Sequence, residues 1–282
     1  MDTRPGRAVE RRIVRFEGSN RRMVDDAIVT EEPLEMRIVA GNRTETLAIT
    51  MRTPGNDFEL AAGFFFGEGL IGGVDDVDGI TYCTDPAIDA EQRYNIVNVA
   101  LRSHTMPGIE RLERHFTTTS ACGVCGRAHL EALQERGIAP LTDATRVTIE
   151  TIYALSEKMR EAQLTFAKTG GLHAAALFTT AGELLATRED VGRHNAVDKL
   201  VGWALTNGTL PLHERILFVS GRAGYEILQK AVVARIPVVC SVSAPSSLAI
   251  DLAHEFGVTL VGFVRGTTAN VYSSGERIVA SA

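Results

Sequence analysis

Cysteine is scarce and scattered. Only four of the 282 residues are Cys, and two of them, Cys83 and Cys240, stand alone. So few thiols at such spacing exclude a disulfide framework and imply a reducing, cytoplasmic setting. Long apolar runs are missing too, since none approaches the roughly 18 residues of a membrane span. No apolar segment follows the basic start, which argues against a secretory leader. Positive charge is not in excess: the net charge is −6, and a chain without a basic field is not built for nucleic acid. No repeat of solenoid period is visible.

What remains is an ordinary globular composition. A chain of 282 residues with 45% hydrophobic content is long enough for two domains and a full core. Its first 22 residues hold seven arginines (4, 7, 11, 12, 15, 21 and 22), interrupted by Glu10 and Glu17. Residues 1–20 therefore read as a basic mobile tail.

Alternating, β-branched runs at 26–30, 34–39 and 46–51 predict short antiparallel strands. The run Pro54-Gly55-Asn56-Asp57 opens a helix through Phe66, with Asn56 or Asp57 as its cap. A further strand is expected at 95–101. Residues 21–116 thus form an α+β region. Residues 117–147 read as a flexible loop followed by a short helix at about 127–136. Helical spacing covers 148–168.

From 148 to 282 strands and helices alternate. Strands are expected at 173–179, 184–187, 216–219, 237–242, 259–264 and 270–273, and helices at 195–205, 225–235 and 247–256. That alternation predicts an α/β domain with a mostly parallel sheet.

Three polar loops leave this sheet at strand carboxyl ends, where open α/β sheets bind ligands. They are 188–195, 220–224 and 243–247, and the last strand ends in the donor-rich turn Arg265-Gly266-Thr267-Thr268. Gly221 and Gly224 let the backbone approach a ligand, and Arg222 offers a fork of donors suited to phosphate. Singly, each loop also fits a plain turn, a helix cap or a solvated ion-paired face. Together they suit an anionic ligand of nucleotide size.

The paired cysteines are Cys122 and Cys125, in Ser120-Ala121-Cys122-Gly123-Val124-Cys125-Gly126-Arg127. A zinc site needs four ligands, which His115 and His129 could complete. A thioredoxin-like redox pair would open a helix after a strand, whereas here threonines and a loop come first. Two small residues in a turn is a third reading. The fourth is a glycine-hinged arm carrying a nucleophilic thiolate, whose pKa falls from about 8.5 in such a motif. A thiolate of that kind can accept sulfur as a persulfide and pass it on. Nothing in the spacing chooses between the two thiols.

A strand-borne His173 ahead of α/β units suggests the zinc deaminases. Those enzymes need His-x-Glu and a later Pro-Cys-x-x-Cys. Here the run is His173-Ala174-Ala175, and the CxxC lies upstream. Deaminase-like architecture without deaminase chemistry is the consistent reading.

The chain resembles the FdhD family of formate dehydrogenase accessory sulfurtransferases, from about residue 26 to 278. The likeness rests on Thr53-Pro54-Gly55-Asn56-Asp57, Cys122-Gly123-Val124-Cys125-Gly126, Gly171-Leu172-His173-Ala174-Ala175, and the block Arg188-Glu189-Asp190-Val191-Gly192-Arg193-His194-Asn195 running on to Lys199. Ser220-Gly221-Arg222, Ser243-Ala244-Pro245-Ser246 and Gly262-Phe263-Val264-Arg265 complete it. The resemblance implies a cytoplasmic homodimer with a cytidine-deaminase-like C-terminal domain. It implies that a cysteine desulfurase of the IscS type loads sulfur onto the cysteine pair. The first cysteine, Cys122, would hold the persulfide, with Cys125 beside it in an open role. The sulfur would pass to the molybdenum cofactor, bis-molybdopterin guanine dinucleotide, for formate dehydrogenase, and GDP would be a partial mimic. The family's cofactor segment falls on Phe263, Val264, Arg265, Gly266, Thr267 and Thr268. Arg222, Arg193 and His194 are added as contacts because their loops leave the same sheet edge.

Overall fold

The computed structural model describes residues 5–107, 133–142 and 144–280. The chain begins with a hairpin: β1 (Ala8–Glu17) and β2 (Asn20–Val29) pair antiparallel around Gly18, whose φ is 63°. The basic mobile tail expected over 1–20 is therefore a strand from Ala8 onward, and β2 starts six residues before the expected strand. Once the chain folds back, Arg11 faces Asp26, Arg12 faces Asp25 and Ile13 faces Val24. Such cross-strand pairs stabilise a ribbon that neither segment shows alone.

A four-stranded sheet follows, in the order β4 (Arg43–Arg52), β3 (Glu32–Ala40), β6 (Ile96–Leu101), β5 (Val77–Tyr82). Alternation along β3 sends Leu34, Met36, Ile38 and Ala40 inward, all buried. They pack on α1 (Asp57–Glu68), which also buries Leu60, Ala61 and Phe65. The cap residue Asn56 is left-handed and gives no side-chain cap.

The expected short helix before residue 137 is described only at 133–135, where the chain is helical. Then β7 (Val147–Thr148) leads into α2 (Ile149–Ala162) and α3 (Leu164–Thr169). The single helical run expected over 148–168 breaks at Gln163, which has φ −83° and ψ 71°. The Glu189 carboxylate fixes the break, accepting from Thr165 N at 3.0 Å and Phe166 N at 2.7 Å at the start of α3.

The rest builds one six-stranded sheet with three helices. In chain order these are β8 (His173–Thr179), β9 (Leu184–Asp190), α4 (Arg193–Thr206), β10 (Arg215–Val219), α5 (Tyr225–Val233), β11 (Val238–Ser241), α6 (Ser247–Glu255), β12 (Thr259–Arg265) and β13 (Thr268–Ser273). The strand order is β13-β12-β11-β10-β8-β9. A last strand, β14 (Ile278–Val279), pairs with β7. The sheet is mixed rather than mostly parallel. Only β10–β11 and β11–β12 run parallel, while β8–β9, β8–β10 and β12–β13 are antiparallel. Short connections force this: turns at Gly182 and Gly266, with φ 79° and 52°, join hairpin neighbours, and only a helical crossover can join parallel ones. The architecture is a mixed α/β fold.

Both faces of this sheet are covered. Ala175 and Leu177 of β8 meet the core under α4, α5 and α6, while Ala174, Ala176 and Phe178 meet Ile152, Leu155 and Met159 of α2. The two sheets are joined by α1 lying on α4. A Cβ added at Gly63 would sit 1.9 Å from the Asp198 carbonyl oxygen, and one at Gly202 would sit 1.8 Å from that of Glu59. The two helix backbones therefore touch, and only glycine permits it. Leu205 of α4 belongs to the core of the small sheet. Among the described residues no helix is long and apolar enough to cross a membrane.

A candidate functional site at the carboxyl edge of the large sheet

The charge-dense run 188–195, expected as a ligand-facing loop, is mostly internal structure, as is its continuation to Lys199. Arg188, Glu189 and Asp190 end β9, and Arg193 already begins α4, leaving Val191 and Gly192 as the connection. Asp190 is fully buried and pairs with Lys199 Nζ at 2.6 Å. It also accepts from Thr53 N at 3.1 Å, Gly192 N at 2.8 Å and Asn195 Nδ2 at 3.0 Å. Lys199 donates onward to Thr53 O at 2.8 Å, and burial lowers its pKa against the pull of Asp190. Arg188 forks onto Glu59 at 2.5 and 2.7 Å. In the other half, Arg52 forks onto Asp57 at 3.2 and 3.1 Å, with both residues buried. Each of these groups has partners, without which burying it would be strongly destabilising. The Thr53-to-Asp57 segment and the 188–199 segment are thus two sides of one buried polar joint.

The opposite situation holds along the carboxyl ends of β10, β11 and β12, which share one edge because these three strands run parallel. The loops after β10 and β11 brace each other: Ala223 and Pro245 form a parallel bridge, and Ser246 N donates to Ala223 O at 3.1 Å. Ser246 also caps α6 through Ala249 N at 3.2 Å. Beneath this edge lies a cavity of about 1270 Å³. Sites for small ligands commonly span roughly 300–1,000 Å³, so the space is ample for a small-molecule ligand. Its strand side is made by His173, Val191, Ser220, Val242, Gly266 and Thr267. Its helix side is made by α2 and α3, with Tyr153, Glu157, Arg160 and Phe166 facing it. Arg160 lies over the Phe166 ring, 4.8 Å from its centroid.

The expected site residues fare differently. Gly266 and Thr267 line the cavity. Thr268 ties the turn, donating to Arg265 O at 2.9 Å, and Arg265 Nε donates to Val242 O at 3.4 Å. Phe263 has a left-handed backbone, φ 54°, at a bulge in β12, with its N–H on Ser243 O at 3.2 Å. A bulky residue there is strained and persists only where the surroundings hold it. Val264 is fully buried, in the core that the large sheet shares with Ile152, Leu155 and Met159 of α2. Arg222 is exposed on the loop after β10. Arg193 and His194 sit at the start of α4 outside the cavity wall. His194 Nδ1 lies 3.0 Å from Glu226 Oε2. Burial, aided by nearby Arg193, pushes the His194 pKa down to about 4 despite Glu226. Arg193 Nε is buried without a hydrogen-bond partner among the described residues.

Cys122, Cys125, His115 and His129 lie outside the described residues. Among the described residues, no group of three His, Cys, Asp or Glu side chains could hold a metal ion. Cys83 and Cys240 are both buried free thiols, and burial raises the pKa of Cys240 far above neutrality. A thiol held protonated in the core is chemically inert.

Sequence reasoning missed the helix wall of the cavity and gave His173 no place in the site. Tyr153, Glu157 and Arg160 read as the solvated face of an amphipathic helix. The three-to-four-residue spacing of 150, 153, 154, 157 and 161 was the available signal, since it marks one stripe of α2. Which stripe meets a ligand depends on where the sheet edge falls.

Fold and site together define a mixed α/β protein with a large ligand cavity at the carboxyl edge of its main sheet. Residues 29–279 match the sequence model of the FdhD/NarQ family. The chain belongs to that family. It is 50% identical over 280 residues to the sulfur carrier protein FdhD of Streptomyces coelicolor, covering 97% of this chain and 96% of that one. It is 48% identical over 257 residues to the sulfur carrier protein FdhD of Mycobacterium tuberculosis, covering 90% and 92%. The crystal structure of a Desulfotalea psychrophila protein, provisionally assigned as a formate dehydrogenase accessory protein, superposes with a TM-score of 0.73. That structure is 25% identical and covers 96% of this chain and 99% of its own.

Proposed function

We propose that the protein is a sulfur carrier that serves formate dehydrogenase. A cysteine desulfurase of the IscS type places sulfane sulfur on Cys122 as a persulfide. The acceptor is bis-molybdopterin guanine dinucleotide, held as substrate in the cavity at the carboxyl edge, with Gly266, Thr267 and Arg265 at its rim. The protein works in the cytoplasm as a homodimer. Two relatives near 50% identity are named sulfur carriers, which supports the class of function. The observation that carries the acceptor reading is the large cavity at the edge where the glycine-rich loops converge.

The chemistry also explains why two thiols are needed. Delivering a sulfane sulfur at the sulfide level requires two electrons. The persulfide S–S bond breaks, a disulfide forms between Cys122 and Cys125, and one hydrogen sulfide leaves. Cys125 supplies the electron pair. Buried Cys83 and Cys240 are poor candidates for either role.

Mass spectrometry after incubation with desulfurase and cysteine tests the proposal. One added sulfur mass on Cys122, absent in Cys122→Ala, is the expected result. Labile sulfur retained by Cys122→Ala, together with undiminished activation of formate dehydrogenase, would overturn it. GDP should bind the cavity, and Thr267→Arg, which fills its mouth, should abolish that binding.

A further inference from the structure

His173 stands out among the cavity residues. It opens β8 at the sheet edge, directly across from Asp190 in the β8–β9 register. Its place is made by Gly221: a Cβ there would lie 3.2 Å from Nδ1 and 3.4 Å from Cε1 of the imidazole. The ring therefore packs closely against the loop after β10. The ring lines the cavity beside Ser220. The Ser220 oxygen accepts from Ala174 N at 2.9 Å, which leaves its hydroxyl proton to point elsewhere. Among the described residues neither imidazole nitrogen has a hydrogen-bond partner. The charges facing His173 are Arg193 from the start of α4 and Asp190 from the end of β9, with His194 next to Arg193. Burial first, then Arg193, lowers its pKa, against the opposing pull of Asp190. The imidazole is neutral near pH 7, with one nitrogen free to accept a proton and the other to donate one. The other lining groups on the strand side, Val191, Val242, Gly266, Ser220 and Thr267, carry no charge, and from α2 on the helix side Glu150, Tyr153, Glu157, Arg160 and Glu161 line the same cavity.

We propose that His173 is the acid–base residue on the strand side of the cavity, taking a proton from the arriving sulfur and returning it to the oxygen that the sulfur displaces. The inference rests on the reading that the cavity holds the molybdenum cofactor as sulfur acceptor. In the balanced exchange, one hydrogen sulfide and one terminal oxygen ligand of the metal become one terminal sulfur ligand and one water. Two S–H bonds break and two O–H bonds form, with no net change in oxidation state. The hydrogen sulfide is the equivalent released when Cys125 closes a disulfide onto the persulfide. A neutral imidazole with both nitrogens free matches this demand, because it can accept at one step and donate at the next. Ser220 is placed to donate a hydrogen bond to the same oxygen.

The test uses full-length protein carrying one persulfide, mixed with cofactor in a single turnover across pH. His173→Asn should bind GDP within about twofold of the unsubstituted protein and load one sulfur. Its transfer rate should fall by about 10²-fold or more, the usual scale for loss of a general acid–base group. The acid limb of its pH profile should vanish. Gly221→Ala, whose methyl presses on the ring and moves it while leaving His173 in the chain, should also slow transfer and retain a shifted acid limb. His173→Asn transferring within a few-fold, with the same acid limb as the unsubstituted protein, would overturn the proposal while leaving the cofactor reading intact. Absence of GDP and cofactor binding in the unsubstituted protein would overturn both. If His173→Asn fails to fold, Gly221→Ala decides: an unchanged rate and unchanged pH profile count against the proposal.

Discussion

Two polar regions of this chain look alike as sequence and differ in the fold. The run from Arg188 to Lys199 and the loops from Ser220 to Thr268 both mix glycine, arginine and other polar residues beside strands. In the first, partners reach in from 129 to 146 residues away. Asp190 and Lys199 are satisfied by Thr53, and Arg188 by Glu59. In the second, the loops satisfy each other's backbone and leave side chains toward a cavity. Polarity near a strand end is therefore not a ligand signal by itself. What separates the regions is whether the polar groups are already paired inside the protein. The buried one holds the halves together, and the open one awaits a partner.

The comparison can be broken most forcefully at the joint. Asp190→Ala leaves the Lys199 ammonium buried beside an empty place. Losing one partner of a buried pair typically costs about 3–5 kcal/mol, and urea denaturation should show a loss of that size. A loss below about 1 kcal/mol would mean that Lys199 finds water, and that the joint is more open than its burial indicates. Next comes the helix seam. Gly202→Ala forces apart two backbones in contact and should destabilise by about 3 kcal/mol, at the upper end of the overpacking range. A thermal melt checks it, and a neutral result would show that α1 can move away from α4.

A smaller effect sharpens the boundary between the regions at His194. Its folded pKa lies near 4, below the ordinary 6.5, because burial disfavours the charged ring. Between those values the unfolded chain binds the proton more readily. Stability from this group is fully present above pH 6.5 and is lost as pH falls toward 4. His194→Gln should flatten that part of the stability–pH curve measured by denaturant midpoints. Smallest of all in stability is Arg222→Ala, an exposed change expected within about 0.5 kcal/mol. Calorimetry should nonetheless show weaker GDP binding, because Arg222 belongs to the open region. An unchanged affinity would remove Arg222 from the site.

Much of the fold was legible from local pattern. The apolar continuity of 173–179 marks a strand buried on both faces, and β8 has those limits. The glycines and hydroxyls after β10 and β11 correctly mark loops on one edge. The failures share a physical cause, which is that long-range partners are invisible in a single segment. Arginines at 11, 12 and 15 look solvated until a second strand brings Asp25 and Asp26 opposite or close. Residues 77–82, with Asp78 and Gly79 in their midst, show no strand pattern, yet they pair with β6. Glu189 looks like a loop charge, but it caps a helix 23 residues earlier in the chain. The candidate site was legible as an edge and not as a cavity, because its second wall comes from α2.

The seam at Gly63 and Gly202 carries a consequence for how this sequence can vary. At two positions far apart in the chain, the permitted alphabet shrinks to one letter each, and both letters answer to the same crossing. A substitution at either cannot be rescued by a smaller residue at the other, since no smaller residue exists. A search for variants that retain the fold should therefore find this pair among the least forgiving sites outside the chemistry. Anyone cutting the gene between the two sheets would leave α1 or α4 with a bare backbone strip that no ordinary surface can cover.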